Sequence, residues 1–132
     1  MSYLLDTNIC IYLIKSRPPQ VKARFEQISI GQIGISSITL AELQYGVEKS
    51  QATTRNQLAL NQFIATLQVH PFGEAATLQY GQIRTYLEKQ GTPIGALDTL
   101  IAAHAMSLGL TLVTNNLKEF QRIPGLSVEN WV

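Results

Sequence analysis

The sequence predicts an α/β domain with a mainly parallel central sheet of about four to five strands and helices on both faces. Short apolar runs alternate with longer segments of helical periodicity, as they do in parallel sheets. The runs are apolar along their whole length, which is typical of strands covered on both sides. The 132 residues are 45% apolar and 14% charged, enough for one core, and no linker or repeat interrupts them. We therefore expect a single domain over residues 1–132.

The first half of the chain is predicted to begin with a strand that runs into a helix. Asp6 and Thr7 follow the first apolar run, and either can cap the helix that the apolar residues after them indicate. Pro18 and Pro19 are typical of a second helix start. The predicted elements, in order, are a strand at 3–5, a helix at 9–14, a helix from 18, a strand at 33–35, and helices at 37–49 and 55–67.

The second half of the chain continues the alternation and ends with two more strands. Glycines and a proline at residues 91–95 predict a loop. The helix after this loop is apolar on nearly all sides, so we expect it to be central. In order, the elements are a strand around residue 69, a helix at 73–90, the loop, a helix at 97–108, a strand at 111–114, a turn at 115–116 and a strand within 127–131.

Composition and charge exclude several classes of protein. Ten Lys and Arg residues against nine Asp and Glu give a formal charge of +1, so contacts with a polyanion need local clusters of charge. One cysteine, Cys10, excludes an intrachain disulfide framework and a cysteine-rich zinc site. Signal-peptide features are missing at the N-terminus, and no apolar run approaches the ~20 residues that span a bilayer. We expect a cytoplasmic protein with no membrane segment.

The most informative residues are three acids that lie among apolar neighbours. The chain has only two aspartates, Asp6 and Asp98, and Asp6 directly follows a predicted strand. Ligands of parallel sheets bind at the carboxyl ends of strands. Glu42 is expected on the same helical face as the apolar residues Ile38, Ala41 and Tyr45. Carboxylates are rarely buried unless they are paired or bound to a cation.

Each acid also has an ordinary structural interpretation. Asp6 and Asp98 can be helix N-caps, and Glu42 can pair with an arginine or extend to the surface. Three such acids in one short chain, with no basic residues close to them in sequence, favour a hard divalent cation. Mg²⁺ and Mn²⁺ prefer oxygen ligands and keep water molecules, so two or three carboxylates are sufficient.

Other catalytic patterns are missing from the sequence. No dinucleotide-binding glycine motif, phosphate-binding P-loop or nucleophile elbow is present. The chain has two histidines, His70 and His104, without a supporting acid–base pattern. We expect His104 to be a structural residue, because it lies inside an apolar helix.

Four motifs, in order and at compatible distances, carry a resemblance over essentially the whole chain. They are LLDTN at residues 4–8, SSITLAEL at 36–43, GTPIG at 91–95 together with DTLIA at 98–102, and TNN at 114–116 together with Phe120. With these motifs the sequence resembles the PIN-domain ribonucleases, specifically the VapC toxins of bacterial toxin–antitoxin pairs. The resemblance implies a PIN-like fold with an acidic pocket at the carboxyl edge of the sheet.

The resemblance also assigns roles to individual residues. It implies Asp6, Glu42 and Asp98 as catalytic and metal-binding acids, with Mg²⁺ or Mn²⁺ as the cofactor. Asn116 stands where the family often has a fourth acid, which leaves the number of metals open. Thr114 corresponds to a family threonine whose hydroxyl can bind water or substrate.

The implied reaction is metal-assisted hydrolysis of phosphodiester bonds in structured cellular RNA, commonly transfer RNA. The metal lowers the pKa of a water molecule and stabilises the developing charge. Water attacks phosphorus and leaves a 5′-phosphate and a 3′-hydroxyl. The resemblance further implies a VapB-type antitoxin that covers the acidic pocket, and a homodimer.

An RNA substrate requires cations to offset the charge of its phosphates. We expect them in two clusters, and we favour the first because the loop after the first helix could border the pocket. The candidate residues are Lys15, Arg17, Lys22 and Arg24 in the first cluster, and Lys118 and Arg122 in the second.

Two other functions are compatible with the sequence. Asn116 is also consistent with a degenerate PIN domain that binds RNA or protein without cleaving it. A phosphatase or phospho-acceptor is disfavoured, because such sites need paired acids near the first strand and the chain has a single Asp there.

Overall fold

A sheet of five parallel strands forms the centre of the molecule. The structure is a computed structural model that describes residues 2–132. Spatially the strands lie in the order β3-β2-β1-β4-β5, and each neighbouring pair is parallel. This confirms the predicted α/β fold with its parallel sheet. The strands are β1 (Tyr3–Leu5), β2 (Ile33–Ser36), β3 (Gln68–His70), β4 (Thr111–Val113) and β5 (Val128–Glu129).

Helices cover both faces of this sheet. The predicted helices are present with slightly different ends, and the short helix at 117–120 was not predicted, since only a turn at 115–116 was expected after the strand at 111–113. No helix within residues 2–132 is long and apolar enough to cross a membrane. The helices are α1 (Thr7–Lys15), α2 (Pro19–Glu26), α3 (Ser37–Glu48), α4 (Thr53–Ile64), α5 (Glu74–Lys89), α6 (Ala96–Leu108) and α7 (Leu117–Phe120).

The side chains of β1 alternate between two hydrophobic cores, one on each face of the sheet. Leu5 packs with the core that holds buried residues of α1 to α4, whereas Leu4 packs with buried residues of α5, α6 and α7. Both leucines are fully buried. Successive side chains of a strand point to opposite faces, so a run of apolar residues serves both cores at once.

Parallel pairing brings the ends of β1 and β4 together at one edge. Leu5 is in register with Val113, and the backbone N–H of Asp6 donates to the Val113 carbonyl at 3.0 Å. Asp6 and Thr114, which are far apart in sequence, therefore follow neighbouring strands side by side. α3 begins directly after Ser36, at the end of β2 on the other side of β1.

Candidate active site

Asp6 is a buried carboxylate that caps α1. Its Oδ1 accepts a hydrogen bond from the Ile9 backbone N–H at 3.0 Å, and its side chain is 5% exposed. Burial raises the pKa of Asp6, and the nearby charge of Glu42 raises it further, while hydrogen bonds from Thr114 and the backbone oppose the shift. The capping role is thus confirmed, and it places the carboxylate at the edge where other acids lie.

Thr114 supports Asp6 from the neighbouring strand. Its side chain is fully buried, and its Oγ1 accepts a hydrogen bond from the Asn116 backbone N–H at 2.9 Å. The same hydroxyl hydrogen-bonds to Asp6, which lowers the pKa of that carboxyl group. Thr114 therefore orients Asp6 and the turn at Asn116.

Glu42 reaches the site from the middle of α3. Its Oε1 accepts a hydrogen bond from the Thr7 hydroxyl at 2.6 Å, so the first residue of α1 holds it. No ion pair within residues 2–132 involves Glu42, which excludes the arginine-paired alternative there. The Glu42 charge raises the pKa of both Asp6 and Asp98.

The predicted apolar face of α3 is wrong. Its buried residues are Thr39, Leu43 and Val47, whereas Ala41 and Tyr45 are exposed. α3 packs against α1 and α4, and this packing selects the face one residue further along the helix. Glu42 is half-buried beside that face, close enough to α1 to meet Thr7.

Asp98 lies in the first turn of α6 and does not cap it. The N-cap is Gly95, and no side chain makes a capping hydrogen bond at this helix. The pKa of Asp98 is raised to about 6. Burial is the largest cause, and the negative charges of Asp6, Glu119 and Glu42, in that order, raise the pKa further. Asp98 accepts no hydrogen bond or ion pair from residues 2–132. Its carboxylate is therefore partly desolvated and uncompensated.

Glu119 is a fourth acid that our sequence interpretation missed. It lies on α7, and its charge ranks after that of Asp6 in raising the pKa of Asp98. Asn116, the position where an acid was expected, is the N-cap of the same short helix. The sequence did contain one indication of Glu119. If a helical turn follows the strand at 111–113, residues three apart lie on one face, and Glu119 then lies beside Asn116.

The donor atoms of this cluster are of the type that Mg²⁺ and Mn²⁺ prefer, namely carboxylate oxygens. No group of three or more His, Cys, Asp or Glu side chains in the described chain could hold a metal ion by itself. Mg²⁺ usually keeps several waters and needs only one or two carboxylates from the protein. Asp6 and Asp98 fit that requirement, with one carboxylate oriented by hydrogen bonds and the other free of them.

The predicted RNA-contacting cations fall into two groups. Arg24 already has partners within the protein, because it forms a 3.2 Å ion pair with Glu129 and its guanidinium lies over the Trp131 ring. Lys15, Arg17 and Lys22 are exposed, but they lie at or beyond the end of α1. From Thr7 to Lys15 the helix rises by ~12 Å, so this first cluster is displaced from Asp6.

The second cluster lies nearer to the acids. Lys118 is on α7 beside Glu119 and is exposed. Arg122 follows α7, and its Nη1 donates to the Pro93 carbonyl at 3.4 Å, in the loop that leads to Asp98. Lys118 and Arg122 therefore lie beside the segments that carry Glu119 and Asp98, and which of the two clusters contacts RNA stays a prediction.

An apolar groove runs from Glu42 between α1, α3 and α4. Its volume is about 350 Å³, and Lys15 lies on its margin. Apolar residues of all three helices form most of its lining: Ile11, Ile14, Leu43, Val47 and Leu60.

Comparisons with known proteins agree with this architecture. The PIN domain family model matches residues 3–126. The chain is 47% identical over 131 residues to the tRNA(fMet)-specific endonuclease VapC of Salmonella typhimurium, covering 99% of this chain and 98% of that protein. It is 49% identical over 132 residues to ribonuclease VapC2 of Rickettsia felis, with 99% and 98% coverage.

Solved structures give the same result at the level of the backbone. A chain in the crystal structure of VapBC2 from Rickettsia felis, bound to a DNA fragment from their promoter, superposes with a TM-score of 0.94 at 48% identity and full coverage of both chains. A chain in DNA-bound VapBC from Salmonella typhimurium gives 0.94 at 47% identity, covering 100% of this chain and 99% of that one. By sequence and by fold, the chain belongs to the PIN-domain family and, within it, to the VapC ribonucleases.

Proposed function

We propose that this chain is a Mg²⁺- or Mn²⁺-dependent endoribonuclease toxin that cleaves transfer RNA and is neutralised by a VapB-type antitoxin. One observation carries the metal dependence: Asp98 is partly buried, receives no hydrogen bond or ion pair from residues 2–132, and faces three other acids. A desolvated carboxylate in such surroundings is unfavourable unless a cation compensates it.

The donor set for the metal is Asp6 and Asp98, with Glu42 as a direct ligand or a ligand through water. A bound Mg²⁺ or Mn²⁺ supplies a Lewis acid that lowers the pKa of water and stabilises charge on the phosphate. Thr114 and the start of α1 hold Asp6, and Thr7 holds Glu42. These hydrogen bonds fix the acids before substrate binds, which reduces the cost of reorganisation.

The substrate class comes from the relatives together with the local charge. Two curated relatives at 47% identity are tRNA(fMet)-specific endonucleases, so an initiator transfer RNA is the first substrate to test. Lys118 and Arg122 lie next to the acids and can contact the phosphates that flank the cleaved bond. Water attacks phosphorus, the bond to the 3′ oxygen breaks, and a 5′-phosphate remains.

The test uses the purified chain, free of antitoxin, with total transfer RNA in Mg²⁺, in Mn²⁺ and in EDTA. We expect cleavage in either metal, none in EDTA, and products that carry a 5′-phosphate. The Asp98→Asn variant is the control for a contaminating nuclease. A 2′,3′-cyclic phosphate formed in EDTA would contradict the metal-dependent reaction.

The antitoxin has a matching surface in the apolar groove beside Glu42. The similar VapBC structures contain such a partner, and the groove, of about 350 Å³ and lined mostly by apolar side chains, suits the apolar side chains of a peptide segment. A basic residue of that segment would also neutralise the acids. We expect Ala59→Lys, at the wall of the groove, to weaken antitoxin binding by at least tenfold while RNA cleavage is unchanged. Unchanged antitoxin binding in folded Ala59→Lys would place the antitoxin elsewhere.

A non-cleaving PIN domain is the second candidate, and Asn116 is the observation that favours it. Glu119 weakens that argument, because it supplies a fourth negative charge near Asp98. A purified chain that binds transfer RNA but never cleaves it, in either metal, would support the second candidate. Homodimer formation and a cytoplasmic location remain parts of the proposal, to be tested by ultracentrifugation and cell fractionation.

A further inference from the structure

A buried hydrogen bond joins the two helices that carry Glu42 and Asp98. The Nδ1 atom of His104 on α6 lies 2.8 Å from the Oγ atom of Ser36, at the end of β2. The two side chains are 1% and 0% exposed. Ser36 is also the N-cap of α3, since its Oγ accepts from the Ile38 backbone N–H at 3.0 Å. The contact thus ties α6 to the first turn of α3.

The surroundings of the ring define its protonation. Burial lowers the pKa of His104, the neighbouring His70 lowers it further, and a hydrogen bond to the Pro71 carbonyl opposes this, so the surroundings favour the neutral ring. The Ser36 hydroxyl donates to Nδ1 or accepts from it, depending on which ring nitrogen carries the proton, and either arrangement joins the two side chains.

The ring has polar neighbours on two sides. Nε2 has no hydrogen-bond partner of normal geometry within residues 2–132, and the Pro71 carbonyl is the backbone acceptor that interacts with the ring. Phe72 and His70 contact the ring with their edges at 5.4 and 6.3 Å between centroids. A leucine at this position cannot supply the directional bond to Ser36.

The hydrogen bond between His104 and Ser36 lies the same distance along each helix from one of the acids. Glu42 is six residues after Ser36, and Asp98 is six residues before His104. Each acid is therefore ~9 Å along its helix from the shared hydrogen bond. Small rotations or slides of α6 against α3 change the separation of the two carboxylates, and metal sites need their ligands held within about 0.5 Å.

We propose that His104 is a positioning residue which, through Ser36, sets the separation of Asp98 and Glu42. This inference rests on the proposed metal-dependent function. It assigns His104 no contact with substrate or metal, so its loss is expected to weaken activity and not to abolish it.

The test compares two amide side chains at the same position, which differ in length by one methylene group. In His104→Asn the amide lies near the former Nδ1 and can bond to Ser36, whereas in His104→Gln it lies near the former Nε2. We expect His104→Gln and His104→Leu to bind Mn²⁺ 10- to 100-fold more weakly, as free Mn²⁺ counted by electron paramagnetic resonance. Their kcat on transfer RNA should fall similarly with KM within twofold. His104→Asn should recover most of both losses.

A core substitution on the same helix separates positioning from stability. Ile101 is buried on α6 in the core that contains Leu4 and Leu112, so Ile101→Val should lower the melting temperature without changing Mn²⁺ affinity. Equal Mn²⁺ affinity in folded His104→Asn and His104→Gln would overturn the inference, as would wild-type affinity in His104→Leu. If the wild-type chain neither binds Mn²⁺ nor cleaves RNA, the proposed function fails first and this inference fails with it.

Discussion

The Thr7 hydroxyl donates a 2.6 Å hydrogen bond to Oε1 of Glu42, and thereby links the start of α1 to the middle of α3. Thr7 directly follows Asp6, so one short segment of chain carries one acid and orients another. Thr39 lies nearby, with its Oγ1 3.5 Å from that of Thr7. The hydrogen bond between Thr7 and Glu42 therefore connects the segments of two acids that are 36 positions apart in the sequence.

The first prediction follows from this contact. Thr7→Val keeps the shape of the side chain but removes the donor, so Glu42 loses its orientation and kcat should fall about tenfold. Thr7→Ser keeps the hydroxyl and should remain near wild type. Steady-state cleavage of transfer RNA measures both variants. Equal rates in the two would mean that the hydrogen bond has no role in catalysis.

The second prediction concerns the three acids together. Asp6→Asn, Asp98→Asn and Glu42→Gln should each lower kcat by at least 100-fold with a native circular dichroism spectrum, because each removes a charged oxygen donor. Glu42→Gln is expected to be the mildest if Glu42 acts through water. Glu26→Gln, an exposed residue on α2, is the matched control and should be fully active. Wild-type activity in Asp98→Asn would refute the site.

The third prediction separates Asn116 from Glu119. Glu119→Gln removes a charge that acts on Asp98, so it should lower the pKa of Asp98 and weaken Mn²⁺ binding. Asn116→Ala should reduce activity only modestly, since its N–H bond to Thr114 comes from the backbone. Asn116→Asp should raise activity at low Mg²⁺ if this position can assist a metal. If Asn116→Ala lowers activity and Mn²⁺ affinity more than Glu119→Gln does, the fourth ligand is Asn116 and not Glu119.

The fourth prediction concerns stability as a function of pH in EDTA. The folded-state pKa of Asp98, about 6, exceeds its ordinary value of 3.8. Below that ordinary value both states are protonated and no penalty exists; as pH rises to about 6, the unfolded chain releases the proton more readily and folded stability is lost. Asp6 acts in the same direction. Asp98→Asn should therefore melt higher than wild type at pH 7, and the two proteins should melt at the same temperature at about pH 3, below the ordinary pKa of 3.8.

Metal should reverse this order. Saturation at 100 times the dissociation constant stabilises a protein by about 2.7 kcal/mol, so the wild type should gain melting temperature with Mg²⁺ and Asp98→Asn should gain little. Thermal melts of both proteins at pH 7, with and without Mg²⁺, give the answer. A mutant that is less stable in EDTA and gains as much from Mg²⁺ would show that Asp98 is not a ligand.

The fifth prediction concerns the RNA surface. Lys118→Gln and Arg122→Gln should each raise KM for transfer RNA severalfold and make binding less sensitive to salt, with kcat nearly unchanged. Arg55→Gln, an exposed cation on α4 at the opposite face of the sheet, is the control. Lys22→Gln tests the first cluster directly. If Lys22→Gln raises KM more than Lys118→Gln does, the first cluster contacts the RNA and the second does not.

Much of the active site was visible in the sequence because its chemistry is locally anomalous. Asp6 and Asp98 stand among apolar residues, and the structure places both at the carboxyl edge of the sheet, where their charges interact. Glu119 gave no such signal, because it stands in a mixed segment between Lys118 and Phe120, where an acid is not unusual. Arg24 looked like a free cation, since nothing in its own segment reveals Glu129, which is 105 positions away.

The sequence by itself determined which segments become strands and helices and which acids are candidates, because periodicity, caps and unusual neighbours are local properties. Only the tertiary structure decided the strand order β3-β2-β1-β4-β5, the face of α3 that is buried, and the approach of Glu119 to Asp98. It also decided that Asp6 caps its helix whereas Asp98 does not. These outcomes depend on packing between residues far apart in the chain, and no local pattern encodes which distant surfaces meet.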